Sequence, residues 1–171
     1  MIPDSSQSER IHQALYRVYA DLAAESRAVE LYTGQMAALR SRSLRRAVAR
    51  IVAEEREQLE QLSALARDLI RLLPTVERRG VLQDARRRAL DSAPARWSLR
   101  AAGWFLACLG LRALSRVNAR SEIDSARSYA AGANQFDWNF PRAANTYREL
   151  ARTEERHARW FEELGDRPQR S

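Results

Sequence analysis

Cysteine is almost absent from the chain: Cys108 is the only one among 171 residues. A disulfide framework and a thiolate metal cage are therefore excluded. Glycine and proline are also scarce, with 6 and 5 residues, whereas the strong helix formers Ala, Leu, Arg and Glu dominate. This composition predicts an all-α protein, and the length predicts one domain over residues 1–171.

Lysine is missing altogether, so the formal net charge of +7 rests on arginine. An all-arginine basic set can reflect a GC-rich genome, or it can mark contact with an anionic membrane surface, nucleic acid or an acidic protein. No zinc-finger or recognition-helix motif accompanies the charge, so we expect no nucleic-acid partner.

Long hydrophobic runs are lacking too. The longest, residues 101–111, is far below the roughly 18 to 20 residues that cross a bilayer. Residues 1–10 are polar and lack the basic-then-apolar layout of a signal peptide. We therefore expect a cytoplasmic protein that can touch the inner face of a membrane as a peripheral protein.

Helix start and stop signals divide the chain into four long helices. Ser41 or Ser43 is a suitable N-cap for the second helix, and Gly165 is a natural residue just past the end of the fourth. The predicted helices cover residues 8–39, about 41–73, about 95–129 and 142–164, with a turn region at 132–141. An arginine-rich stretch at 74–96 is predicted to add a short helix between the second and third.

Acidic residues interrupt the core-facing rows of these helices. Glu25, Glu55 and Glu154 each stand among hydrophobic residues spaced three or four apart, and the row through Glu122 is half apolar. The three apolar rows are Leu15, Val18, Leu22, Glu25, Val29, Tyr32, Met36 and Leu39; Ala47, Ile51, Glu55, Gln58, Leu62, Leu65 and Leu69; and Ala143, Tyr147, Leu150, Glu154, His157, Phe161 and Leu164.

A buried carboxylate without a partner costs several kcal/mol, so a core with several of them needs a cation. A di-iron carboxylate bundle uses one Glu from each of two helices and a Glu-x-x-His pair from each of the other two. Five of those six positions hold the expected residue type, and Gln58 stands where the second histidine would be. The candidate metal ligands are Glu25, Glu55, Gln58, Glu122, Glu154 and His157.

Each of these signals has an ordinary alternative. Glu-x-x-His occurs by chance in charged helices, and a single Glu in an apolar row can pair with one of the many arginines. Agreement among four helices in the required order favours the metal site. Other acidic residues are interpreted as solvated charge, namely Glu30, Glu54, Glu57, Glu60 and Glu155.

Several segments resemble the demethoxyubiquinone hydroxylase family of ferritin-like di-iron proteins. The most specific is residues 25–36, where a Glu and an Ala precede the Tyr32-Thr-Gly34-Gln35 ending. Residues 54–59, 99–106, the spacing of Glu122 and Tyr129, and residues 154–157 are similar to further parts of that family. The resemblance implies a ferritin-like antiparallel four-helix bundle, two iron ions, and an oxygen-dependent monooxygenase that hydroxylates a quinol-like aromatic ring in ubiquinone biosynthesis.

The chain also departs from the pattern of that family. Residues 21–24 read Asp-Leu-Ala-Ala where Asp-His-Ala-Gly is usual, and Arg127 and Ser128 stand where histidines usually precede Tyr129. Gln58 offers an amide oxygen in place of an imidazole nitrogen. These departures favour a second hypothesis, a ferritin-like protein with a degraded metal site that serves as a partner or regulatory scaffold. Iron storage or peroxide detoxification is a third, less favoured, hypothesis.

Partner predictions follow from the surface. An apolar patch of Trp97, Trp104, Phe105 and Leu106 would hold a hydrophobic quinone-like substrate or rest on a membrane, unless these side chains belong to the core. The arginines at 78, 79 and 86–88 would meet anionic lipid head groups, or they form a solvated face. Exposed apolar helix surface would also suit a homodimer or a biosynthetic complex.

Overall fold

The computed structural model of the chain describes residues 5–81 and 93–166. Within these ranges the protein is helical and contains no strand. The helices are α1 (Ser5–Ala38), α2 (Arg42–Leu72), a short helix over residues 75–81, α3 (Ala93–Cys108), α4 (Leu111–Phe136) and α5 (Pro141–Asp166). The predicted all-α class is confirmed, and Ser41 is the N-cap of α2, with its hydroxyl accepting a bond from the Leu44 amide.

Two helical hairpins make up the bundle. Helix α1 packs on α2, and α4 packs on α5. Helix α3 lies against the outside of α1. The short helix after α2 begins at residue 75, inside the predicted insert, and residues 82–92 of that insert lie outside the described part of the chain.

The predicted third helix is wrong in one respect, because two helices replace it. Gly110 separates α3 from α4 and has a φ of 103°, a left-handed conformation that glycine adopts without strain. Helix α3 therefore turns away from the line of α4. Glu122 and Tyr129 remain together on α4, as predicted.

Two other glycines lie inside helices that were predicted to end before them. Gly132 lies inside α4, and a Cβ there would come within 2.5 Å of the Tyr147 ring. Gly165 lies inside α5, where a Cβ would be 3.1 Å from the Ser115 Cβ. Both glycines allow α4 and α5 to approach closely, so they serve packing and not helix termination.

Two more glycines seat α3 on α1. A Cβ on Gly34 would fall 2.0 Å from the Arg100 carbonyl oxygen, and a Cβ on Gly103 would fall 2.0 Å from the Leu31 carbonyl oxygen. The two backbones therefore touch at this crossing. Arg100 also forms an ion pair of 2.5 Å with Glu30, so the prediction that Glu30 is solvated charge is wrong.

Two hydrophobic clusters fill the bundle, one toward each end. The first includes Ile11, Leu62 and Phe136, and the second includes Tyr32, Ile51 and Phe161. All four bundle helices also contribute buried polar side chains, and these belong to neither hydrophobic cluster. Within residues 5–81 and 93–166, none of the helices combines the length and the hydrophobicity that a transmembrane span requires.

Candidate metal centre

The six predicted ligand side chains are all buried, with between 0% and 4% of each residue exposed. They come from α1, α2, α4 and α5, so each bundle helix contributes at least one. This burial follows from their position in the apolar rows, since every other member of the α5 row is buried as well. The residues are Glu25, Glu55, Gln58, Glu122, Glu154 and His157.

Four of these side chains form a compact group. One ligand atom from each of Glu55, Glu122, Glu154 and His157 lies within 4.8 Å of the others. His157 Nδ1 lies 3.2 Å from Glu55 Oε1, 3.9 Å from Glu122 Oε2 and 4.0 Å from Glu154 Oε2. Three carboxylates and one imidazole nitrogen therefore converge on one point.

The other two predicted ligands extend this group on its far side. Gln58 donates from Nε2 to Glu154 Oε1 at 2.5 Å. Glu25 is close enough to Glu55 and Glu154 for both to influence its pKa, and Glu25 in turn helps to raise the pKa of Glu55. Glu55 and Glu154 thus stand in the middle, between a Glu25–Gln58 end and a Glu122–His157 end.

Several polar atoms in the group have no hydrogen bond of acceptable geometry among the described residues, although His157 Nδ1 and Glu55 Oε1 are only 3.2 Å apart. They are both carboxylate oxygens of Glu55, Oε1 of Gln58 and Nδ1 of His157. Leaving such groups unpaired costs about 1 to 3 kcal/mol each, and more when they are charged. Carboxylate oxygens and imidazole nitrogens are common ligands of iron, so the unpaired atoms fit a bound metal pair.

The environment of the cluster disfavours the ionised form of three of its carboxyl groups. Burial raises the pKa of Glu55 and of Glu122 well above the ordinary 4.5, and neighbouring carboxyl groups raise both further. Burial also raises the pKa of Glu25. A metal cation would relieve both effects, because positive charge among the carboxylates favours their ionised form.

The outer nitrogen of His157 has a partner of its own. Nε2 of His157 lies 3.0 Å from Glu54 Oε2, and Arg156 holds the same carboxylate at 3.2 Å. Burial opposes ionisation of Glu54, but the interactions with His157 and Arg156 together outweigh it and lower the pKa of this carboxyl. A carboxylate on the far nitrogen orients metal-binding histidines and fixes their tautomer. The prediction that Glu54 is plain solvated charge is therefore wrong.

Two tyrosines hold the outer carboxylates. The Tyr129 hydroxyl donates to Glu25 Oε1, and the Tyr32 hydroxyl donates to Glu122 Oε1. Burial, with Glu25 beside it, raises the pKa of Tyr129, so the phenol remains a donor at neutral pH. Both tyrosines bridge α1 and α4, and they fix the distance between the two hairpins.

The Tyr32-Thr-Gly34-Gln35 segment has a structural role at each of its distinctive positions. Tyr32 donates a hydrogen bond to Glu122, and the missing side chain of Gly34 leaves room for the backbone of α3. Gln35 exchanges two hydrogen bonds with Asn118, at 3.0 and 2.8 Å. The Gln35–Asn118 pair is buried and again joins α1 to α4. To predict this pair from the sequence, the core-facing rows of α1 and α4 would have to be compared with each other.

The departures at Arg127 and Ser128 lie outside the cluster. Arg127 is exposed and pairs with Asp124, and Ser128 accepts hydrogen bonds from Arg17. Arg17 also binds Asp21, whose carboxylate accepts a bond of 2.5 Å from the Tyr147 hydroxyl. This partly buried network beside Glu25 was not predicted.

Most of the predicted apolar patch is exposed. Trp97, Trp104 and Phe105 project from α3 into solvent, whereas Leu106 packs against the second hydrophobic cluster. The core interpretation therefore holds for Leu106 and is wrong for the other three.

Comparison with known proteins points in the same direction as the geometry. The family model of rubrerythrin matches residues 116–169. The chain is similar to a rubrerythrin over this stretch, which covers most of α4 and all of α5 and includes Glu122, Glu154 and His157. No curated protein and no solved structure gives a match to the chain.

The match and the buried cluster together support a ferritin-like di-iron protein. The match is to the rubrerythrin family and not to demethoxyubiquinone hydroxylases. The cluster is compatible with iron.

Proposed function

We propose that the chain is a di-iron, oxygen-dependent hydroxylase of a quinol-like aromatic ring. The observation that carries the proposal is the buried, unpaired donor set: both Glu55 oxygens and His157 Nδ1 lack a hydrogen bond, and one Glu55 oxygen lies with His157 Nδ1 in the compact group of ligand atoms. Glu25, Glu55, Gln58, Glu122, Glu154 and His157 would hold two iron ions. A bound iron pair would supply oxygen activation.

The residues of the chain have defined tasks in this proposal. The two hydrophobic clusters exclude bulk water from the cluster on both sides. Tyr32 and Tyr129 keep the Glu122 and Glu25 carboxylates in fixed positions, and Glu54 holds a proton at His157 Nε2 so that Nδ1 is free to bind. Pre-organised donors of this kind need little rearrangement when a cation enters.

The substrate assignment rests on the hydroxylase resemblance and on α3. Trp97, Trp104 and Phe105 offer an exposed apolar surface on the helix that crosses α1 at Gly34. A lipid-soluble ring, or the anionic membrane surface that contains it, would bind such a surface. The matching location for the protein is the cytoplasm, at the inner face of the membrane.

Ring hydroxylation gives the test. One atom of O₂ enters a ring C–H bond, and the other leaves as water with two electrons and two protons from an external reductant. Iron-loaded protein, a chemical reductant and a short-chain quinol lacking one ring substituent are mixed under ¹⁸O₂. We expect a product carrying one ¹⁸O atom, and Glu122→Ala should abolish it while the exposed Glu57→Ala retains it. An unlabelled or absent product with iron fully bound would contradict hydroxylation.

One observation favours the alternative function. Gln58 already donates its amide to Glu154, which satisfies part of the cluster without metal. A ferritin-like scaffold that partners a biosynthetic complex would need no more than this. That alternative predicts that the purified chain binds no iron even after anaerobic loading.

A further inference from the structure

A surface groove runs between α4 and α5. Two adjoining cavities of about 610 Å³ and 310 Å³ form it, and the described residues that line them all belong to these two helices. Apolar side chains line the groove between its charged residues, and they include Ala119, Ile123, Ala126, Ala158 and Phe161. Neither the proposed metal ligands nor the α3 patch takes part in it.

The α4 rim of the groove is basic. Arg112, Arg116 and Arg120 follow one another at four-residue spacing, which places them on one side of the helix. Asp124 comes next and pairs with both Arg120 and Arg127. The sign of the charge therefore changes only at Asp124 along this rim.

The α5 rim is acidic over the same length. Asp166 and Glu162 line the first cavity, opposite the three arginines, and Glu155 lines the second. Arg159, which pairs with Glu155, is the single basic residue among them. At the end near Asp166 the α4 rim is therefore positively charged and the α5 rim negatively charged. Farther along, both rims carry charges of both signs.

Ser115 and Gly165 fix how the two rims align. A Cβ on Gly165 would lie 3.1 Å from the Ser115 Cβ, so these residues are at one level. Because α4 and α5 are antiparallel, Asp166 and Glu162 are level with the stretch from Arg112 to Arg120. Arg159 is level with the stretch between Arg120 and Asp124.

The groove keeps these charges apart within one chain. Among the described residues no ion pair joins the two rims, and Arg112, Arg116, Glu162 and Asp166 have no ion-pair partner there at all. A partner that covered the groove would need an acidic edge beside α4 and a basic edge beside α5.

We infer that the groove is the interface between two copies of this chain, related by a two-fold axis parallel to the bundle. That operation places α4 of one copy across from α5 of the other at unchanged height. Arg116 then faces the level of Asp166 and Glu162 of the second copy, and the second copy's Arg116 faces the same residues of the first. The mixed-sign stretches also face each other.

Other occupants fit the charges less well. A two-fold axis perpendicular to the helices would set α4 against α4 and bring arginine rims together, which is unfavourable. A small anion or an acidic peptide would meet the α5 carboxylates along the whole groove. Only a bipolar partner satisfies both rims, and the chain itself is one.

The size of the groove sets the strength of the dimer. From Arg112 to Ala130 the helix rises about 27 Å, and two helices are about 20 Å wide, so the face covers on the order of 500 Å². Standard interfaces bury about 800 Å² per partner. We therefore expect a reversible dimer whose dissociation constant lies in the micromolar range or above.

Sedimentation velocity of the full chain across the micromolar range tests this inference. We expect a concentration-dependent dimer, and either Arg116→Glu or Glu162→Arg should raise its dissociation constant at least about tenfold, since each places like charges at two symmetric positions. Arg67→Glu, an exposed change on α2, is the matched control and should leave the dimer unchanged. Helix content by circular dichroism checks that each variant is folded.

Mixing the two variants gives the sharpest result. At the level of residues 116 and 162 the Arg116→Glu chain carries an acid on both rims and the Glu162→Arg chain carries a base on both, so an equimolar mixture should form a heterodimer. A wild-type chain that stays monomeric throughout, a dimer insensitive to both variants, or a folded mixture that does not associate would each overturn the inference.

Discussion

At the scale of single residues, His157 and Gln58 make the two ends of the cluster chemically unequal. The His157 end offers an imidazole nitrogen with no hydrogen-bond partner, oriented from behind by Glu54. The Gln58 end offers an amide oxygen, which is a weaker ligand for iron. The proposed metal pair should therefore bind in two unequal steps.

Gln58→His should remove that inequality. Calorimetric titration of the metal-free protein with Fe(II) under anaerobic conditions should show one tight and one weak event in the wild type. The variant should tighten the weak event by roughly tenfold or more. Gln61→His, an exposed change on the same helix, serves as the control, and an unaltered weak event in Gln58→His would show that position 58 does not serve a metal.

Much of the cluster could be predicted because burial follows helix periodicity. Glu25, Glu55 and Glu154 stand in apolar rows, and the rows alone indicate that their side chains point inward. Glu54 could not be found this way. It is the neighbour of a row residue, and its contact with His157 depends on how α2 and α5 are set against each other, which no single helix encodes.

At the scale of helices, glycine had opposite roles that sequence alone does not separate. Gly110 ends α3 through a left-handed backbone, whereas Gly132 and Gly165 lie inside helices that need close contact with a neighbour. The bounds of α1 and α2 were predicted well because Ser41 and Pro74 mark the chain locally. The break between α3 and α4 was missed because a single glycine is tolerated in a helix.

Gly103→Ala tests the contact that seats α3 on α1. The new methyl group would meet the Leu31 carbonyl oxygen at 2.0 Å, so the backbones must separate. We expect a loss of about 1 to 3 kcal/mol in the free energy of unfolding, as for overpacked cores, measured by urea denaturation.

Gly80→Ala is the matched control for that substitution. No atom of the described residues lies within 4 Å of a Cβ there, so the change should stabilise the protein by about 0.5 to 1 kcal/mol through helix propensity. Equal effects of the two substitutions would show that α3 does not depend on the glycine crossing.

At the scale of the whole molecule, two apolar clusters enclose a polar layer whose charge needs compensation. The pKa values of Glu25, Glu55 and Glu122 are raised in the folded state, mainly by burial. The folded protein therefore binds protons that the unfolded chain releases. Their contribution to stability is complete below the ordinary carboxyl pKa of 4.5 and is lost as the pH rises through the raised values.

The metal-free protein should accordingly become less stable as the pH rises above about 4.5. Each such group contributes up to about 1.4 kcal/mol per pH unit. Glu55→Gln should reduce this slope in urea unfolding curves recorded across pH, and Glu57→Gln on the exposed face should not. A slope identical in wild type and Glu55→Gln would contradict the buried-carboxyl account.

The measurement that tests the central claim most directly is the metal content of the purified full chain after anaerobic loading with Fe(II). The account predicts about two iron ions per chain, near-complete loss of uptake in Glu154→Ala, and normal uptake in Glu57→Ala. A folded wild-type chain that retains no iron, or a Glu154→Ala variant that retains both ions, would contradict it.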